Sequence, residues 1–147
     1  MTNNSQPQSV DVLLVEDNPG DARLVREAFA EWHLLNSLHH VPDGVEAMAF
    51  LRRQGEYANR KRPDLVLLDL NLPRKDGRQV LAEMKADPAL KRIPVVALTT
   101  SSAHEDITAC YNAGANAYVT KPLDFAEFLN ALTALKIFWF SVVTLPD

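Results

Sequence analysis

The sequence predicts an α/β protein, a doubly wound sheet of five parallel strands with helices on both faces. Short apolar runs alternate five times with segments of helical period, the pattern of successive βαβ units. The run Leu65-Val66-Leu67-Leu68-Asp69 is apolar on both faces, as a strand covered by helices on either side must be. Charged and hydroxyl groups collect where the runs stop, at Glu16-Asp17, Asp69, Thr99-Thr100 and Lys121, and such strand ends converge only if the strands are parallel.

Taken in order, residues 1–8 form a polar tail that is expected to be disordered. A strand near 10–15 leads into a helix near 19–32, where Pro19 suits the first turn and Leu24, Val25, Ala28, Phe29 and Trp32 form one apolar stripe. Strands follow near 37–41, 64–69, 94–99 and 116–120, with helices near 45–54, 77–86, 104–113 and 124–136. Gly114 fits the stop of the fourth helix, and Phe125, Phe128, Leu129, Leu132 and Leu135 form the stripe of the fifth. The reading is one domain over 9–136 and an apolar extension over 137–147.

A chain of 147 residues that is 47% hydrophobic supports one core. Its formal net charge of −4 offers no broad basic field, so no direct nucleic-acid partner is expected, and Arg60-Lys61-Arg62 reads as a solvated loop. Cys110 is the lone cysteine, which fits a reducing compartment. No apolar stretch reaches the ~20 residues of a membrane span and no signal segment is visible, so a cytoplasmic protein without a membrane partner is expected.

Ligands of doubly wound folds bind beyond the carboxyl ends of the strands, which selects Glu16, Asp17, Asp69, Thr99 and Lys121. Carboxylates this close repel one another and call for a cation between them. An all-oxygen set from loops suits Mg²⁺, with Asp17, Asp69 and the main-chain carbonyl of Asn71 as ligands and Glu16 acting through a water. A metal, a lysine and a hydroxyl around one carboxylate suit phosphoryl transfer onto that carboxylate. Asp69 is then the nucleophile, with Lys121 and Thr99 on the phosphoryl oxygens.

The ordered set Glu16-Asp17, Asp69-Leu70-Asn71-Leu72-Pro73, Gly77, Thr99, Ala113-Gly114-Ala115, Tyr118 and Lys121-Pro122 closely resembles the receiver domain of two-component response regulators. The resemblance implies a flavodoxin-like (βα)5 fold with strand order 2-1-3-4-5. It implies phosphorylation of Asp69 by a histidine kinase, and a switch in which Tyr118 turns inward as Thr99 moves toward the phosphate. The protein would be a signalling phospho-acceptor, not an enzyme in the usual sense. The acidic pair is Glu-Asp where many members have Asp-Asp. The single receiver, the Gly55–Arg62 loop, the Asn71–Gly77 segment and the apolar extension together look like the small stand-alone regulators that partner cyanobacterial phytochromes, which are light-sensing histidine kinases.

A phosphatase of the haloacid dehalogenase class needs a second aspartate where Asn71 stands, and a nucleotide hydrolase needs a glycine-rich loop that is missing. A phosphorylation-independent interaction module of the same fold gives no reason for an intact set of strand-end ligands. The extension from Ile137 to Pro146 is too short to span a membrane and too apolar for water. Either it folds back on its own domain against the apolar stripe of helix 5 or, the preferred reading, it packs against a second copy in a two-fold homodimer built on helix 4, strand 5, helix 5 and the extension, with Phe138, Trp139 and Phe140 at its interface.

Overall fold

The computed structural model describes residues 11–31, 38–100, 104–121 and 124–137, with side chains throughout except at 132 and 134–137. The elements are β1 (Val12–Val15), α1 (Pro19–Glu31), β2 (Leu38–Val41), α2 (Gly44–Leu51), β3 (Leu65–Asp69), α3 (Gly77–Ala86), β4 (Val95–Thr99), α4 (His104–Asn112), β5 (Ala117–Thr120) and α5 (Phe125–Ile137). The five strands form one sheet in the order β2-β1-β3-β4-β5, and every pairing is parallel. This is the fold class and strand order expected from the sequence.

The period of two along each strand divides the core in two. Leu13, Val15, Val66, Leu68, Val95 and Ala97 face one side, where Met48 of α2, Val80, Leu81 and Met84 of α3 and Cys110 of α4 cover them. Val12, Leu14, Leu65, Leu67, Val96 and Leu98 face the other, under Val25 and Phe29 of α1 and Phe128 of α5. Each buried leucine or valine contributes about 1.5–3 kcal/mol, against about 0–1 for an exposed ion pair. The apolar pattern therefore decides the fold, and the charges are free to serve the sheet's edge.

Packing is uneven across the sheet. In α4 only Cys110 is buried, and β5 is half-buried or exposed along its length. Three details depart from the sequence reading. The second helix ends at Leu51 instead of 54, because Arg52 caps it and Arg53 turns the chain into the left-handed region at φ 58°. The expected loop after it holds a short 3-10 turn, Gly55–Tyr57, pinned by Tyr57 on Phe50 and by its hydroxyl donating to Glu46 Oε1 at 2.7 Å. Phe125, placed on the buried stripe of the fifth helix, is 37% exposed, while Phe128 alone of that pair enters the core.

The tail at 1–8, Trp32 and the interface residues Phe138, Trp139 and Phe140 lie outside the described residues. Among those described, no helix is long and apolar enough to cross a membrane.

The chain leaves β3 through a loop that returns at Gly77, whose amide donates to Leu70 O at 3.3 Å. Asp76 and Gln79 cap α3 reciprocally just there. A Cβ at Gly77 would overlap the carbonyl oxygen of Asp69 and lie 2.7 Å from Leu70 Cα. Gly77→Ala is therefore expected to cost about 1–3 kcal/mol, seen as a lower urea midpoint. An unchanged midpoint would show that α3 does not press on β3 this closely.

Candidate functional site

The carboxyl edge of the sheet is built by backbone pairing. Glu16 N donates to Val41 O at 3.1 Å, so the β1–β2 ladder runs one residue past β1 and turns the Glu16 side chain into the protein, fully buried. Asp17 follows it into solvent, and Asn18 caps α1 by accepting from the Asp21 amide at 2.9 Å. Asp69 ends β3 only 2% exposed, and its Oδ1 accepts from the Asn71 amide at 2.9 Å. Lys121 N donates to Thr99 O at 2.7 Å, which carries the lysine side chain over the edge.

The Lys121 ammonium stands 2.7 Å from Glu16 Oε1, 2.9 Å from Asp21 Oδ2 and 3.1 Å from Asp69 Oδ2. Burial by itself lowers the lysine's proton affinity, but Glu16, Asp21 and Asp69 outweigh it and hold the ammonium charged well above its usual range. Glu16 is pushed up to about 7, first by burial and then by a hydrogen bond shared with Asp69, against the pull of Lys121 and the Asn18 amide. Two like charges 4 Å apart repel by about 4 kcal/mol at an effective dielectric of 20. One ammonium among the four carboxylates of Glu16, Asp17, Asp21 and Asp69 leaves negative charge in excess.

That excess fits a divalent cation. Carboxylate oxygens of Glu16, Asp17 and Asp69 lie within 4.8 Å of one another. Asp17 makes no hydrogen bond or ion pair among the described residues. The donors are all oxygen, the set that hard cations prefer. Asp17 and Asp69 border an open cleft of about 610 Å³ whose lining also includes Asp21, Asn71, Thr100 and Lys121, with Glu16 buried behind it.

Of the residues singled out in the sequence, Glu16, Asp17, Asp69, Asn71 and Lys121 come together here. Thr99 ends β4 at 3% exposure, while the hydroxyl that lines the cleft is that of the next residue, Thr100, reached by Asn71 Nδ2 at 3.4 Å. Tyr118 lies away from the cleft, half-buried and edge-on to Tyr111 with centroids 6.1 Å apart. It is in register with Ala97, two residues before Thr99, so Tyr118 and Thr99 share one face of the sheet. Asp21 is the site residue that sequence reasoning missed. Its signal was present: Pro19 opens a helix at the end of β1, which places Asp21 in the first turn beside the acidic pair.

Comparison with known proteins bears directly on this arrangement. Residues 12–133 match the family described as the response regulator receiver domain. The response regulator Rcp1 of Synechocystis sp. is 49% identical over 146 residues, covering 99% of both chains. Two crystal structures are similar to this one: the phosphorylated cyanobacterial phytochrome response regulator RcpA, 50% identical with a TM-score of 0.86 over 95% of this chain and all of that one, and the Mn(2+)-bound form of response regulator Rcp1, 47% identical with a TM-score of 0.80 over 94% and 99%.

Burial makes Glu16 a weaker acid, and stability therefore depends on pH. A carboxyl whose folded pKa exceeds its ordinary value near 4.5 contributes stability below that value, and the contribution is lost as pH climbs to about 7. In chelator, Glu16→Gln is expected to match wild type near pH 4.5 and to melt at a higher temperature than wild type above pH 7. A variant that melts lower than wild type at pH 8 would mean that Glu16 is stabilised as a carboxylate.

Proposed function

The chain belongs to the response regulator receiver domain family, and we propose that it signals by accepting a phosphoryl group on Asp69 from a histidine kinase of the phytochrome class. Receiver-domain response regulators are signalling proteins and not classical enzymes, and the acidic site of the family takes a divalent metal. The phytochrome assignment is supported by RcpA and Rcp1, which are about half identical over nearly their whole length, the former being named a phytochrome response regulator.

One observation carries the reading. Asp69 is held at the sheet's edge by the Asn71 amide on Oδ1 and by Lys121 on Oδ2, yet it lines an open cleft. In the reaction an Asp69 carboxylate oxygen attacks phosphorus, the P–N bond to the kinase histidine breaks, and an aspartyl phosphate forms. Lys121 supplies a positive charge for one phosphoryl oxygen, and Thr99, buried at the end of β4 beside the cleft-lining Thr100, would have to move toward the phosphate to give its hydroxyl to another. Asp17, Asp69 and the Asn71 carbonyl would hold Mg²⁺, with Glu16 linked through water; when bound, the ion offsets charge on the phosphoryl oxygens.

The signal then passes along the face shared by Thr99 and Tyr118 to α4 and β5. Cys110 is the only buried residue of α4, so a small displacement there disturbs little core. The same flank leaves Tyr111 46% exposed, which supports a homodimer formed on α4, β5, α5 and the extension.

Acetyl phosphate with Mg²⁺ should add one phosphoryl group, read by intact-protein mass, and Asp69→Asn or chelation of the metal should prevent it. A fully phosphorylated Asp69→Asn protein would overturn the assignment. Truncation after Lys136 should leave that phosphorylation intact and convert a dimer to monomer in size-exclusion chromatography with light scattering. Full-length protein that is monomeric at tens of micromolar (~10⁻⁵ M), phosphorylated or not, would remove the dimer from the account.

A further inference from the structure

The loop that follows Asp69 carries Asn71 at its start and ends at Gly77, and its middle rests on a different part of the molecule, the N-terminus of α2. Gly44, the first residue of α2, meets the Lys75 backbone so closely that a Cβ there would overlap the Lys75 carbonyl oxygen. Beside this contact Asp43, 5% exposed, uses its two carboxylate oxygens for two tasks. Oδ1 accepts from the Glu46 amide at 2.8 Å and caps α2, while Oδ2 accepts from Arg74 Nη1 at 3.1 Å. Arg74 occupies the left-handed region at φ 65°, a conformation that a non-glycine residue keeps only when its surroundings impose it. Lys75 and Arg52, from the loop and the end of α2, both pair with Glu83 of α3.

We propose that Asp43 and Arg74 are positioning residues, a latch that presets the loop after Asp69 so that the main-chain carbonyl of Asn71 is already aimed at a divalent cation; this rests on the metal reading of the site given above. Leu70 and Gly77 are joined by a hydrogen bond, so only six residues lie between two fixed points. A change of backbone at Arg74 within so short a span has to be absorbed by its neighbours, and Asn71 is three residues away. The pair itself adds little to global stability, since the Arg74 side chain is 58% exposed. What it supplies is orientation of a metal donor, which outer partners of metal sites commonly provide.

Two variants separate the latch from the fold. Arg74→Gly keeps the left-handed backbone and removes the guanidinium, and Asp43→Asn keeps an oxygen for the Glu46 amide and removes the charge. Calorimetric titration of the full chain with Mn²⁺ alone should show each binding about tenfold more weakly than wild type. The double variant should be no weaker than either single one, because both remove the same contact. Arg74→Lys, which returns a cation opposite Asp43, should recover most of the affinity, and melting midpoints should barely move. In phosphorylation by acetyl phosphate the half-saturating Mg²⁺ concentration should rise by the same factor, while the rate at saturating Mg²⁺ falls less than about twofold. Wild-type affinity in both single variants would overturn the latch alone. A wild-type chain that binds no Mn²⁺ would overturn the metal reading and the latch with it.

Discussion

The ammonium of Lys121 stands amid the carboxylates that the sheet crowds together at its edge, within 3.1 Å of Glu16, Asp21 and Asp69. It can be there only because three strands that are distant in sequence end at the same edge: β1 delivers Glu16, β3 delivers Asp69, and β5 delivers the lysine through its hydrogen bond to Thr99. Those strands are held by apolar burial on both faces, which is far larger than any single ion pair at the edge. The core thus forces carboxylates together, and the lysine offsets part of the cost. The part left over is negative charge in excess, and it is the electrostatic ground on which a metal and a phosphoryl group are proposed for this edge.

The two flanks of the sheet are built differently. Around β1, β2 and β3 the connections are tied down: Asp43 caps α2 and holds Arg74, Gly77 presses α3 against Asp69, and the chain after α2 is pinned by Tyr57. Around β4 and β5 the packing thins, with α4 anchored by Cys110 and Tyr118 only half-buried. A receiver needs both. In the proposed switch the tied-down flank would keep the reacting groups in place, and the thinly packed flank would exchange one packing for another when the site changes charge.

Much of this was legible in the residues because the physics that fixes it is short in range. The apolar runs and their period give the strands, Pro19 and Gly114 mark helix ends, and a carboxylate closing a buried strand announced Asp69. What was not legible depends on three-dimensional neighbours. Asp21 looks like any acidic residue in a first helical turn until Lys121 is seen beside it. Thr99 and Thr100 are alike in sequence, and only the register of β4 says which is buried and which borders the cleft. Phe125 continues an apolar stripe on paper, yet at the first position of α5 it is 37% exposed while Phe128 enters the core. The Asp43–Arg74 contact joins residues 31 apart, and neither carries a local sign of the other.

The claim on which the rest depends is that the charge left over at the sheet's edge is a divalent-cation site made by Asp17, Asp69 and the Asn71 carbonyl. Crystals grown with Mn²⁺ and measured for its anomalous scattering test it most directly. The account predicts one strong peak at about 2.2 Å from those three oxygens, with Lys121 still paired to the cluster. A peak on other residues, or a fully ordered cleft without a peak at millimolar Mn²⁺ (~10⁻³ M), would contradict it.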